Sequence, residues 1–272
     1  MKKIFAGAVA LVSFVAISQV LAKPNFSSVQ LSTPGVSQTL VLPTPTDNSP
    51  VISLGSAVDP GSGKLVEGYA IIYYKNGAAK PPNVGGGRTA CYGVFASGAK
   101  WKALEPWIVN SDNSRGLPDD FVFANLGANI NKWEDAAVFD ILGDGATTSD
   151  ILLADTVAPD NQNEVYFADV STEGSIAVTI VWGIFGGPPS GRELVEWDQV
   201  YDEVDYNWSS AGEPGKMDFE NIATHELGHS AGLKDLYNSD CSQETMYGYA
   251  DFGEINKRDL NSGDIAGINK LY

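Results

Sequence analysis

Two histidines occur among the 272 residues, and they stand four apart, at His225 and His229. The line around them reads Thr224-His225-Glu226-Leu227-Gly228-His229-Ser230-Ala231-Gly232-Leu233-Lys234-Asp235. Residues four apart on a helix lie one turn apart on one face, so both imidazoles can reach a single ion. Imidazole nitrogen suits Zn2+, which it binds at roughly 2.0–2.1 Å. Glu226 follows the first histidine and stands close enough to such an ion to take a proton from water beside it. An HExxH string is short enough to arise by accident on an ordinary helix. Accident would rarely place every histidine of a chain inside it.

A catalytic zinc usually keeps three protein ligands and one open position. No histidine remains, so the third ligand must be Asp, Glu, Cys or Tyr. Gly232 can end the helix and let the chain turn back, because glycine tolerates the left-handed backbone of such a stop. Asp235 arrives three residues later, where a returning chain would meet the metal, and is the favoured ligand. Asp240, Cys241, Glu244 and Asp251 compete for the role farther along.

His225 to Asp235 resembles the metzincin zinc-binding sequence HExxHxxGxxH/D in its Asp-ending variant. The methionine-bearing turn of that family is matched by Glu244-Thr245-Met246-Tyr247-Gly248-Tyr249. Met246-Tyr247 is similar to the matrixin pair, whereas the astacin pattern needs a tyrosine where Gly248 stands. The closing stretch Asp264-Ile265-Ala266-Gly267-Ile268-Asn269-Lys270-Leu271-Tyr272 also resembles the last matrixin helix. The resemblance covers about residues 91–272 and is specific after about Leu194. It implies an α+β metzincin-like catalytic domain: a mostly parallel twisted sheet, an antiparallel edge strand and three main helices. It implies a zinc endopeptidase, with Glu226 as catalytic base and His225, His229 and Asp235 as metal ligands. Protein or peptide substrates would lie extended along an edge strand, for which Ile176 to Trp182 is the candidate. Matrixins normally carry His where Asp235 stands, and hold a structural zinc on further histidines, so that second zinc is expected to be absent here. A catalytically silent zinc-bearing extracellular binding module is the alternative, and the intact Glu226 speaks against it.

The elements that must position these residues are legible in the periodicity. Asp119 to Ala137 reads as an amphipathic helix, with Val122, Leu126, Ile130, Trp133 and Ala137 on one face. Glu67 to Tyr74, Trp101 to Val109, Glu164 to Val170, Ile176 to Trp182 and Leu194 to Tyr201 read as strands. The helix bearing the histidines should start at Asp218, a good N-cap, and stop at Gly232. A last helix from about Asn261 to Tyr272 places Ile265, Ile268 and Tyr272 on one face.

Lys2 and Lys3 before the apolar run Ile4 to Ile17, closed by Val20-Leu21-Ala22, read as a cleaved signal peptide over 1–22. Export and secretion follow from it, with no membrane span after its removal. Residues 23–60 are rich in Ser, Thr, Pro and Asn and read as a linker or loosely ordered pro-segment. The glycines at 85–87 mark the expected boundary between an N-terminal region, 23–87, and the catalytic domain, 88–272. A net charge of −17 repels phosphate backbones, which argues against nucleic acid as a partner. Acidic clusters such as Asp198, Asp202, Glu203 and Asp205, or Asp155 and Asp160, have the chemistry that Ca2+ takes, without defining a ligand set. Cys91 and Cys241 suit one disulfide in an exported chain. The rival reading, a latency cysteine on zinc, lacks a Pro-Arg-Cys-Gly motif around Cys91.

Overall fold

The computed structural model describes residues 38–44, 49–78 and 90–272. The signal reading of 1–22 and the glycine boundary at 85–87 lie outside these residues. In chain order the elements are β1 (Thr39–Leu40), β2 (Val51–Val58), β3 (Leu65–Lys75), β4 (Trp107–Val109), α1 (Asp119–Ala137), β5 (Gly145–Thr147), β6 (Asn163–Val170) and β7 (Ser175–Ile184). There follow β8 (Glu193–Asp202), β9 (Trp208–Ser209), β10 (Met217–Asp218), α2 (Phe219–Ser230), β11 (Tyr249–Ala250) and α3 (Ser262–Leu271). The fold is a mixed α/β arrangement with three α-helices among the described residues.

One sheet runs in the order β11-β3-β7-β8-β6-β4-β5, with β2 on the far side of β3 and β1 beside the end of β6. Strands β5, β4, β6 and β8 pair in parallel, and α1 carries the chain across from β4 to β5. From β8 outward the pairing turns antiparallel through β7, β3 and β2. The antiparallel edge is therefore β2. This corrects the placement of Ile176 to Trp182: β7 lies inside the sheet, with β8 on one side and β3 on the other. Its Val- and Ile-rich text, buried from Ser175 to Gly183, is what a strand with neighbours on both sides demands.

Other expectations shift for local reasons. The strand expected over Trp101–Val109 shrinks to Trp107–Val109. Pro106 has no N–H to give a ladder, and the Trp101 indole instead donates to the Ser230 carbonyl at 2.8 Å. Strand β2 lies in the stretch expected to be a loose linker. Only Ile52 in it is buried, so it shows almost no alternation for periodicity to detect. The β2–β3 turn is held by Asp59, whose carboxylate accepts the amides of Gly61 and Ser62 at 3.0 and 2.9 Å.

The helices pack on one face of the sheet over a core that includes Ile71, Tyr73, Trp133, Trp197, Tyr201, Phe219 and Leu227. The opposite face carries a second apolar layer with Ile72, Tyr74, Tyr166, Val178, Trp182 and Val200, covered partly by Leu40, Leu42 and Leu152. Helix α1 buries the predicted stripe, and adds Asn125 and Asn129 to it. In α3 the buried positions are Gly263, Asp264, Gly267, Ile268 and Leu271. Ile265 is 42 % exposed, so the face drawn through it in the sequence is rotated. The two glycines cause this. At Gly263 a Cβ would stand 2.0 Å from the Cys91 carbonyl oxygen, and at Gly267 3.0 Å from Tyr92. Cys91 is bonded to Cys241, which ties the segment before Tyr92 to the turn before Met246 across 150 residues. Closing a loop of that size contributes about 4–5 kcal/mol in the chain-entropy account.

Candidate metal centre

Helix α2 starts where the sequence says it should. Asp218 caps it, its side chain accepting the Asn221 amide at 3.0 Å, and Arg258 in turn clamps the Asp218 carboxylate. Every residue from Asn221 to Ser230 is buried, so the helix is a core element rather than a surface one. Two indoles hold its carbonyls: Trp133 donates to Thr224 at 2.9 Å and Trp101 to Ser230 at 2.8 Å. Gly232 adopts φ 102°, the left-handed turn that only glycine takes without strain. The chain doubles back there, and the Leu233 amide returns to the Gly228 carbonyl at 2.9 Å.

That return brings three ligand atoms together. Asp235 Oδ1 lies 3.1 Å from His225 Nε2 and 3.4 Å from His229 Nε2. Each histidine is oriented through its other nitrogen, His225 Nδ1 to the Thr245 carbonyl at 2.7 Å and His229 Nδ1 to the Leu233 carbonyl at 2.9 Å. Since a carbonyl can only accept, both Nδ1 atoms carry a proton, which leaves both Nε2 atoms, facing Asp235, as the ones able to hold a metal. The two Nε2 atoms and Asp235 Oδ1 are buried without hydrogen-bond partners. Orphaned polar atoms of this kind are rare in a folded interior, and a tetrahedral Zn2+ would account for all three at once. Nitrogen, nitrogen and carboxylate oxygen with a position left over is the donor set a catalytic zinc takes.

Burial pushes His225 down to about 4, which keeps its ring neutral, as a ligand must be. In the metal-free chain burial works against a charge on His229, but Asp235 outweighs it and raises that ring. Burial alone would likewise raise the Asp235 carboxyl, but the charge on His229 foremost outweighs it and holds Asp235 ionised. Tyr237, which the sequence reading missed, donates its hydroxyl to Asp235 Oδ2 at 2.8 Å and fixes which oxygen is left over. Its position two residues past Asp235 was the one available signal. Tyr73 on β3 stacks flat on His225, with ring centroids 3.6 Å apart and planes 4° apart. Nothing in the sequence could have connected those two.

Glu226 is fully buried, and burial raises its carboxyl to about 7. The Thr179 hydroxyl on β7 donates to its Oε2, while its Oε1 has no partner. Met246 lies under the helix. A Cβ on Gly228 would stand 2.2 Å from the Met246 sulfur, so glycine is what lets the two segments touch. The turn bearing Met246 is fastened by Asp264, which accepts the amides of Thr245 and Met246 at 2.7 and 3.0 Å. The remaining contenders for third ligand are spent elsewhere. Cys241 is in the disulfide, Glu244 accepts the amides of Gly263 and Asp264, and Asp240 and Asp251 are exposed.

Residues 192–272 match the family model for matrixins, a span that runs from β8 to the end of α3. This part of the chain is matrixin-like. The matrixin-like segment holds His225, Glu226, His229, Asp235 and Met246, and the match points to a zinc metallopeptidase. No curated protein matches the chain. The match stops short of β3 and β7, so Thr179 and Tyr73 reach the centre from outside the matrixin-like segment. Of the acidic clusters weighed for calcium, Asp202 uses its carboxylate on the amides of Val170, Val204 and Asp205. Asp198 instead groups with Asp155 and Glu196.

Proposed function

We propose that the chain is a secreted zinc endopeptidase, with His225, His229 and Asp235 holding one catalytic zinc and Glu226 acting as general base. The observation that carries this reading is the convergence of three partnerless, buried ligand atoms beside an intact, partnerless Glu226 Oε1. Zinc held there supplies a Lewis acid that acidifies water and polarises a scissile carbonyl. Glu226 is built for proton transfer. Thr179 occupies one of its oxygens, which leaves Oε1 to take the proton of the attacking water and pass it to the departing amine.

Residues 1–22 serve as signal peptide in this reading, 23–87 as pro-segment and 88–272 as catalytic domain. Strand β3 supports the middle assignment. It pairs with β7 from Glu67–Gly183 to Tyr74–Ser175, the ladder that an extended peptide would need, and it lays Tyr73 over His225. A peptide adding to β7 has to displace β3. The same closure is what favours the second reading, a zinc-bearing binding module without turnover, since Glu226 and both histidines are inaccessible behind it.

The test is hydrolysis of casein or a peptide library by the purified, zinc-loaded chain, before and after limited proteolysis between residues 79 and 89. Cleavage that chelator abolishes, and that Glu226→Gln lowers by ~10²–10⁴-fold with zinc retained, is expected. Zinc-loaded protein that cleaves no peptide in either form supports the silent module instead.

A further inference from the structure

Beside the stripe that α1 buries in the core, the same helix lines a groove with Ala124, Gly127, Asn131 and Glu134, spaced three, four and three apart. Trp107, Leu142 and the start of β5 line it from the sheet side. Its volume is about 820 Å³, within the range of ligand and peptide sites. Gly127 has no packing reason to be glycine. A Cβ there would meet nothing within 4 Å, and glycine weakens a helix interior relative to alanine. What the missing side chain leaves is open groove floor. The loop that follows α1 is fixed, since Glu134 Oε1 accepts the amides of Ile141 and Leu142 at 2.8 and 3.0 Å. The Gly143 amide then donates to the Glu105 carbonyl at 3.0 Å, so the groove is formed before anything enters it.

Three features bear on what would enter. Strand β5 ends the sheet on this side, so among the described residues its outer edge has no neighbour, and such an edge is a template for an extended chain. Leu104, Val138 and Phe139 continue the apolar surface past the mouth of the groove and are all exposed. Val138 is 88 % exposed and holds φ 53°, a left-handed backbone that a β-branched residue rarely adopts. Finally, Glu134, Asp135, Asp140 and Asp144 make the rim acidic, with no lysine or arginine lining the groove or its mouth. Among the described residues none forms an ion pair with any of the four.

We propose that the groove between α1 and β5 binds an extended peptide segment of a partner protein, rich in lysine or arginine alternating with apolar residues. The apolar side chains fill the groove, the cations meet the rim, and the backbone adds alongside β5. Anionic lipid and nucleic acid are repelled by the same carboxylates. None of the lining residues belongs to the histidine centre, and the proposal does not depend on the peptidase reading.

The experiment uses the full chain in excess chelator, so that the histidine centre cannot consume the ligand, and follows the anisotropy of a fluorescein-labelled octapeptide of alternating lysine and leucine. Binding should saturate at one peptide per chain and weaken as salt is raised. Serine in place of the lysines, or in place of the leucines, should each weaken it at least ~10-fold. N-methylation of alternate amides should weaken it as much, because it removes the donors that an edge strand meets. Gly127→Leu should raise Tm by about 2–4 °C, as leucine favours the helix and its Cβ meets nothing, and yet weaken the peptide at least ~10-fold by filling the floor. Asp140→Asn with Asp144→Asn should lose about 3–10-fold in affinity at unchanged Tm. A parent chain that ignores the lysine–leucine peptide, or binds a glutamate–leucine one equally well, overturns the proposal. So does undiminished binding by the folded Gly127→Leu protein, by the Asp140 and Asp144 double variant, or of the N-methylated peptide.

Discussion

Gly228 is the point where the helix bearing both histidines touches the methionine turn, and Gly228→Ala tests that contact. Two effects oppose each other. Alanine in a helix interior is favoured over glycine by about 1 kcal/mol. Against this, the new Cβ would sit 2.2 Å from the Met246 sulfur and 2.8 Å from the Trp133 ring. Ordinary carbon contacts need about 3.5–4.0 Å, so the shortfall exceeds an ångström on one side. Neither neighbour is free to yield. Trp133 is 2 % exposed and fixed through its indole to Thr224, while Met246 is 2 % exposed with its amide held by Asp264. Overpacking of this kind typically costs about 1–3 kcal/mol, and the immobile surroundings place this case in the upper half of that range. Net destabilisation of about 1–2 kcal/mol is expected. Urea unfolding in excess chelator is the assay, since it keeps metal affinity out of the comparison. Adding Met246→Ala opens the space, so the double-mutant cycle should show favourable coupling of about 1 kcal/mol or more. A Gly228→Ala protein as stable as the parent, or a cycle without coupling, would refute the reasoning.

Two further outcomes follow from the surroundings of the centre. Tyr237→Phe removes the hydroxyl that fixes Asp235 Oδ2, and zinc affinity measured by chelator competition should fall about 10–100-fold, the usual effect of losing such an orienting partner; an unchanged affinity would show that the hydrogen bond does not orient the ligand. In metal-free protein the Glu226 carboxyl moves from 4.5 to about 7 on folding. Its folded value is the higher one, so its stabilising contribution is complete below about pH 4.5 and is lost as pH rises through about 7. Glu226→Gln should abolish that loss, so its Tm should gain on the parent's between pH 5 and 8. Parallel Tm curves would contradict the burial-driven shift.

Much of the helix layer could be read in advance because its signals are local. Asp218 as N-cap, the α1 stripe and Gly232 as the stop are each decided by residues within a turn or two of the event. The convergence of the three candidate ligands follows from the same short-range logic, since a helix face and a glycine turn carry His225, His229 and Asp235 to one point. What escaped the sequence depends on partners far away. Strand β7 reads the same whether or not β3 lies beside it, because burial on both faces already makes it uniformly apolar. Strand β2 buries one side chain and is held by its ladder with β3, an interaction without a residue signature. Tyr73 on His225 and Thr179 on Glu226 join positions 152 and 47 residues apart by tertiary packing alone. Asp155, Glu196 and Asp198 are similarly joined by a loop folding over a strand, so scanning for acidic runs grouped the wrong neighbours.

The most direct measurement is zinc affinity by chelator competition, on the full chain and its Asp235 variants. The parent should bind one Zn2+ per chain tightly. Asp235→Ala should lose more than ~100-fold in affinity, a larger loss than removing an orienting partner causes. Asp235→His, which supplies a third imidazole at the same point of the returning chain, should retain the metal. An Asp235→Ala protein that binds zinc as tightly as the parent would contradict the account, because no other ligand-bearing side chain converges on the two histidines among the described residues.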